Sequence, residues 1–237
     1  MVRFTQRQEA LGVIISRMSR RAFQIAAAAT AFGLLIMALH TVFVSAGQST
    51  RLNTLDANRP IPYFIADGAG KPGYRPSDRD LALWALQAWQ RIAPKHIRLT
   101  LAASESSALV RVYWAEPSKG QFGETQPLAV DGRLGAAVFI RPDMESLGPE
   151  LARRAAADPL LRDSIVYLTC LHELGHALGL AHTDDFRDIM YFFGYGGDIV
   201  AYFGRYRSQL HSRPDIAKVS GLSDADVSRI QMMYGKE

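Results

Sequence analysis

His172-Glu173-Leu174-Gly175-His176-Ala177-Leu178-Gly179-Leu180-Ala181-His182 is the stretch on which the reading of this chain turns. Histidines four apart on a helix stand on one face, one turn above the other, so His172 and His176 can reach a single ion. Imidazole is a good zinc ligand, and three histidines leave a fourth position open. His182 lies six residues beyond His176. On a continuous helix it would be rotated by about 240° and lifted ~9 Å, far from the other two. The helix must therefore end between them, and Gly179 is the residue able to take the left-handed conformation that turns the chain back. Three neutral imidazoles leave the full charge on a metal and bring its bound water toward a pKa of ~7. Glu173, beside the first ligand but not one itself, is placed to take a proton from that water and pass it to a leaving amine. A purely structural zinc would need a fourth protein ligand. Cys170 points about 200° away from His172 around the helix, so it is read as a buried apolar contact.

Working outward, Asp158-Pro159 reads as a cap followed by proline at the first helical position, and opens the helix that carries the histidines. Further upstream, Arg59-Pro60-Ile61-Pro62 leads into a strand at 63–66, which Asp67-Gly68 ends. Ser77 is a good N-cap, and Leu81, Trp84, Ala88 and Ile92 then recur at helical spacing until Pro94. Segments 97–102 and 109–114 alternate apolar and polar residues as half-buried strands do, and 134–141 is a further β-rich run. Near the end, Ser223 caps a last helix with Val227, Ile230 and Tyr234 on one face, and Gly235 ends it. The order of strand, helix, several strands, metal helix, irregular segment and terminal helix predicts an α/β fold. It should hold a twisted mixed β-sheet, an active-site helix and a C-terminal helix.

The 237 residues are 48% hydrophobic and 21% charged, enough for a sizeable core. The net charge of +4 belongs to residues 1–46, which hold Arg3, Arg7, Arg17, Arg20 and Arg21 against Glu9 alone. The remainder is neutral, so it offers no basic face and no nucleic-acid partner is expected. A single cysteine excludes an intramolecular disulfide. No charge occurs from Ala22 to Val44, and these 23 positions would make about 34 Å of helix, enough to cross a hydrocarbon core of ~30 Å. Arginines stand only before the run, which keeps the N-terminus cytoplasmic and sends the rest outward. Two fates stay open. The run is longer than a usual signal core, favouring a retained anchor, whereas Val44-Ser45-Ala46 offers small residues to a signal peptidase. Ser19-Arg20-Arg21-Ala22-Phe23 resembles a twin-arginine export signal, or is simply charge flanking a membrane helix. The expected organisation is a basic cytoplasmic segment at 1–21, a transmembrane anchor or signal at 22–46, a linker at 47–59 and a catalytic domain at 60–237. The protein is expected to be exported, either secreted or held at the membrane through residues 22–44.

The eleven residues from His172 resemble the extended zinc signature of the metzincins. Asp188-Ile189-Met190-Tyr191, beginning shortly after His182, resembles that family's methionine turn beneath the metal, in the Met-Tyr order of matrixins. Residues 222–235 resemble the matrixin closing helix. The resemblance therefore covers roughly 60–237. It implies a metzincin-like catalytic domain with one catalytic zinc on His172, His176 and His182, Glu173 as the base that activates the zinc-bound water, and Met190 as a structural floor. The implied activity is a zinc-dependent endopeptidase hydrolysing peptide bonds of extended polypeptides. Phe192 stands where astacin-like members place a tyrosine, so a fifth ligand is not implied. Three departures follow. No cysteine precedes the domain to act as a latency switch, there is no room for a folded propeptide after the membrane segment, and the loop for a second, structural zinc is not recognisable. Asp184, Asp185 and Asp188 leave calcium open without indicating it, since solvated loop carboxylates account for them better.

Metzincins resemble one another in laying substrate along an exposed sheet edge. The candidate edge here is Gly120, Gln121, Phe122, Gly123, Glu124 and Thr125, ahead of a connection at 127–132, and an ordinary surface hairpin is the competing reading. Tyr191 joins this substrate-binding set. The aromatic segment 191–221 is either a lid or partner surface, or a satellite hydrophobic cluster. Two other functions also stay open: a zinc hydrolase of a non-protein amide such as a cell-wall peptide, and a non-catalytic zinc module that binds peptide.

Overall fold

The computed structural model describes residues 54–118 and 122–235. The segments 1–21 and 22–46, and with them the expected membrane contact, lie outside the described residues, as do Gly120 and Gln121. Among the described residues no helix is long and apolar enough to cross a membrane. The elements are β1 (Ile61–Ile65), α1 (Asp78–Ile92), β2 (Leu99–Leu101), β3 (Val110–Trp114), β4 (Gly123–Val130), β5 (Arg133–Ile140), α2 (Pro149–Ala157), α3 (Pro159–Ala177), α4 (Ile199–Arg207) and α5 (Asp224–Tyr234). The strands form one sheet in the order β2-β1-β3-β5-β4. Neighbours pair parallel except β4, which runs antiparallel to β5 and forms an edge. This is the expected mixed sheet.

Two helices make the platform beneath the site. α1 buries Leu81, Ala82, Ala85, Leu86, Ala88 and Trp89; of the positions read from spacing, Leu81 and Ala88 are buried, whereas Trp84 and Ile92 are only partly covered. α3 is buried along almost its whole length, which is why its sequence shows no polar face. Trp89 is fully buried and its indole Nε1–H donates to Leu171 O at 2.9 Å, tying α1 to α3. A buried ion pair adds to this. Arg162 of α3 meets Asp78 at the start of α1 through both guanidinium nitrogens, and also donates to Gly73 O. With both partners almost fully buried, removing either one would leave an uncompensated charge, at a cost of about 3–5 kcal/mol.

Several expectations are corrected. Ser77 precedes α1 but its hydroxyl makes no cap bond, and its backbone is already helical. Instead, Asp78 accepts from the Arg75 N–H. The last helix does end at Gly235, as the sequence implied, with φ −83°. The 127–132 connection is mostly strand: β4 continues to Val130, and only Asp131 and Gly132, both with positive φ, make the turn. α2 and α4 were not foreseen. The lead at 54–59 lies against the domain, with Leu55 buried and its N–H donating to the Tyr234 hydroxyl at 3.1 Å.

Candidate metal centre

α3 delivers the first two histidines. Asp158 caps it by accepting from the N–H groups of Leu160 and Leu161, and Pro159 fills the first helical position, as the sequence implied. The helix stops at Ala177. Gly179 then takes φ +95°, its N–H bonds to His176 O and that of Leu180 to Gly175 O. This turn returns the chain so that His182 faces the other two. The ring centroids lie 4.8 Å (His172–His176), 5.3 Å (His172–His182) and 4.6 Å (His176–His182) apart. One ring nitrogen from each falls within 4.8 Å of the others.

Backbone carbonyls set the tautomers. His172 Nδ1 lies 2.6 Å from Ile189 O and His176 Nδ1 2.8 Å from Leu180 O. A carbonyl can only accept, so each Nδ1 carries the proton and each Nε2 presents a lone pair. His176 Nε2 and His182 Nε2 are 3.0 Å apart. Two nitrogen donors at this separation suit a shared cation, since zinc–nitrogen bonds of ~2.0–2.1 Å in a tetrahedral set place the nitrogens about 3.3 Å apart. Burial, reinforced by the neighbouring rings, lowers His176 to about 4 and His182 to about 3. Burial also lowers His172, against the pull of the Ile189 carbonyl. The rings are therefore neutral at pH 7 and available as ligands. The donor set fits zinc.

Below the rings, Met190 is fully buried. A Cβ at Gly175 would lie 2.4 Å from Met190 Sδ, so glycine at this helical position makes room for the sulfur. The turn that carries Met190 is held from the C-terminal side. Asp226 Oδ2 accepts from the Ile189 N–H at 2.8 Å, and the Ser223–Asp226 capping box starts α5. Asp188 is bound by the Ser223 hydroxyl and Arg229, and its carbonyl accepts from the Tyr202 hydroxyl of α4. Beyond the Ser223 cap, none of these partners is legible in the sequence. Phe192 stacks on the His182 ring, with centroids 4.7 Å apart.

Glu173 is buried, 6% exposed, and its carboxyl meets β4. Burial raises it above the ordinary carboxylate value, opposed by His176 and by a hydrogen bond from Thr125. Of the segment read as substrate edge, Phe122 packs on Phe193 and Phe203, and Glu124 pairs with Arg141. Gly123 and Thr125 stand against Glu173. The Arg141 N–H donates to Phe122 O. With the register of Glu124 opposite Phe139, antiparallel alternation turns the backbone groups of Glu124 and Gln126 toward β5, and those of Gly123, Thr125 and Pro127 to the open side. Tyr191 is 6% exposed, and its hydroxyl donates to Gly196 O. Phe193 meets Tyr202 and Phe203, and Phe186 meets Tyr191 and Tyr202, whereas Tyr206 stacks on Tyr167 of α3.

A comparison with curated proteins found no match. Among protein families the chain matches Matrixin over residues 77–197, just over half its length, from the start of α1 through the methionine turn. That span contains all three histidines, and the sheet order agrees with it: the chain belongs to the matrixin family and is a zinc metalloendopeptidase.

Proposed function

We propose that this protein cleaves internal bonds of extended polypeptides outside the cytoplasm, with Glu173 as the general base. The observation that carries this reading is the Glu173 carboxyl, buried between the histidine cluster and an edge strand with an open side. When bound by His172, His176 and His182, zinc would supply an acidified water and a polarised substrate carbonyl. Glu173 takes the water's proton and later delivers it to the leaving amine. The outward groups of Gly123 and Thr125 pair with substrate backbone, which selects extended chains. The export half of the proposal rests on the uncharged 22–44 run with arginines on one side only. Whether the segment 22–46 is cleaved or retained is read by N-terminal sequencing of the mature protein.

Glu173→Gln tests the chemistry. The purified variant should keep its zinc and lose turnover by about a thousandfold or more, on the scale of a lost general base with its electrostatic partner. Zinc lost in proportion would make Glu173 a ligand, and a variant as active as wild type would remove it from catalysis. A reporter fused after Glu237 that is active only in the cytoplasm would overturn the export.

A further inference from the structure

What surrounds the Glu173 carboxyl comes from β4 rather than from its own helix. Positions two apart on a strand share a face, and Gly123 and Thr125 both turn theirs toward α3. A Cβ at Gly123 would lie 2.5 Å from Glu173 Cγ and 2.8 Å from Oε1, so a larger residue there would push the carboxyl aside. Thr125 Oγ1 lies 2.7 Å from Glu173 Oε2 and 2.9 Å from the Glu173 backbone oxygen. One hydroxyl proton thus faces two acceptors.

We propose that Thr125 is a positioning residue for Glu173: its hydroxyl holds Oε2, Gly123 leaves the space, and Oε1 is left to meet the water. The inference rests on Glu173 being the base. While Glu173 is ionised, the Thr125 proton points at Oε2. When Oε1 takes the water's proton, Oε2 remains an acceptor and the Thr125 O–H still points at it. The hydroxyl gains and loses no proton, and it holds the carboxyl in both states. A base held in place this way needs no search for its working rotamer.

The test is a set of variants in the full-length enzyme. Thr125→Val keeps shape and β-branching but removes the hydroxyl, and Thr125→Ser returns one. Thr125→Val should lower kcat by about tenfold or more, the scale of one hydrogen bond to a charged group. KM and zinc content should stay within about twofold, and Thr125→Ser should recover most of the loss. A second readout needs no metal. In the zinc-free protein Thr125→Val should lower Tm, and lower it less in a Glu173→Ala background. Wild-type kcat in Thr125→Val, no recovery with serine, or equal Tm losses in the two backgrounds would each overturn the role of Thr125. Near-wild-type turnover by Glu173→Gln would overturn the base itself, so the two failures are read from different variants.

Discussion

Gly175→Ala sets two known effects against each other at the floor of the site. Gly175 lies within α3, where replacing glycine by alanine ordinarily stabilises by about 0.5–1 kcal/mol. Here the new methyl would stand 2.4 Å from Met190 Sδ and 3.1 Å from Trp89 Cζ2. Reaching ordinary contact requires the sulfur to retreat by about 1 Å. Met190 and Trp89 are both fully buried, and the indole is tethered to Leu171 O. Overpacking of this kind costs about 1–3 kcal/mol, so the clash should outweigh the propensity gain and leave a loss of about 1–2 kcal/mol. For a domain of this size that lowers Tm by about 2–8 °C. The displacement should also reach the metal. Met190 O accepts from the Thr183 N–H beside His182, and the adjacent Ile189 O holds the His172 ring. Zinc affinity should fall by about tenfold, as when an outer partner of a ligand is disturbed. Calorimetry of zinc-free and loaded protein, with chelator competition, measures both quantities. A raised Tm with unchanged zinc affinity would show that Met190 yields freely, and the argument for a close-packed floor would be lost.

Asp226→Ala should weaken zinc binding by about tenfold although Asp226 touches no ligand, because it removes the acceptor of the Ile189 N–H and with it the hold on His172. Asp226→Asn, which keeps an acceptor oxygen, should fall between the two in chelator competition, and equal affinity in all three proteins would rule out the relay. Asp158 gives a pH prediction: burial pushes its carboxyl up, but the Arg207 guanidinium and the N–H groups of Leu161 and Leu160 outweigh that and hold it below its usual value. A depressed folded value stabilises above the unfolded pKa near ~3.9 and is lost as pH falls through the folded one. The Tm difference between wild type and Asp158→Asn should therefore be constant near neutrality and shrink on acidification below about pH 4. A difference independent of pH down to 2 would assign the effect to the cap's shape alone. Glu124→Pro should destabilise the β4–β5 pair by about 1–3 kcal/mol, the cost of a lost ladder hydrogen bond, since its N–H faces β5, and a variant with wild-type Tm would invert the strand's alternation.

The ligand set was legible because one helical turn and one glycine decide it, and both are local. What holds the ligands was not. His172 leans on Ile189, seventeen residues on, and Ile189 leans on Asp226, a further thirty-seven on, and no periodicity links those positions. α4 was missed although Asp198 caps it by accepting from Val200 and Ala201. Tyr202, Phe203 and Tyr206 are its buried stripe, with Arg205 exposed opposite them, but that short stripe lies inside a longer run of aromatics and glycines whose composition masks the period. β4 was cut short at Pro127 because proline reads as a strand breaker. In the structure Pro127 stands on the outer side of an edge strand, where the N–H it lacks has no ladder partner to bond.

The same strand shows why its two proposed roles are hard to separate from sequence. On an edge strand, the residues that point their backbone groups outward still project their side chains to one face of the sheet. At Gly123 and Thr125 that face is occupied by Glu173. These two residues can therefore offer main-chain groups to a substrate and seat the base with what lies, or does not lie, beyond Cα. The first use is blind to side-chain identity, and the second demands a glycine and a hydroxyl. If substrate pairs with this edge and Glu173 is the base, as proposed, a shift of the strand on pairing would reach the carboxyl through one hydrogen bond. Substitutions that change only the Thr125 side chain should then move kcat, while those that disturb the outward backbone should move KM as well.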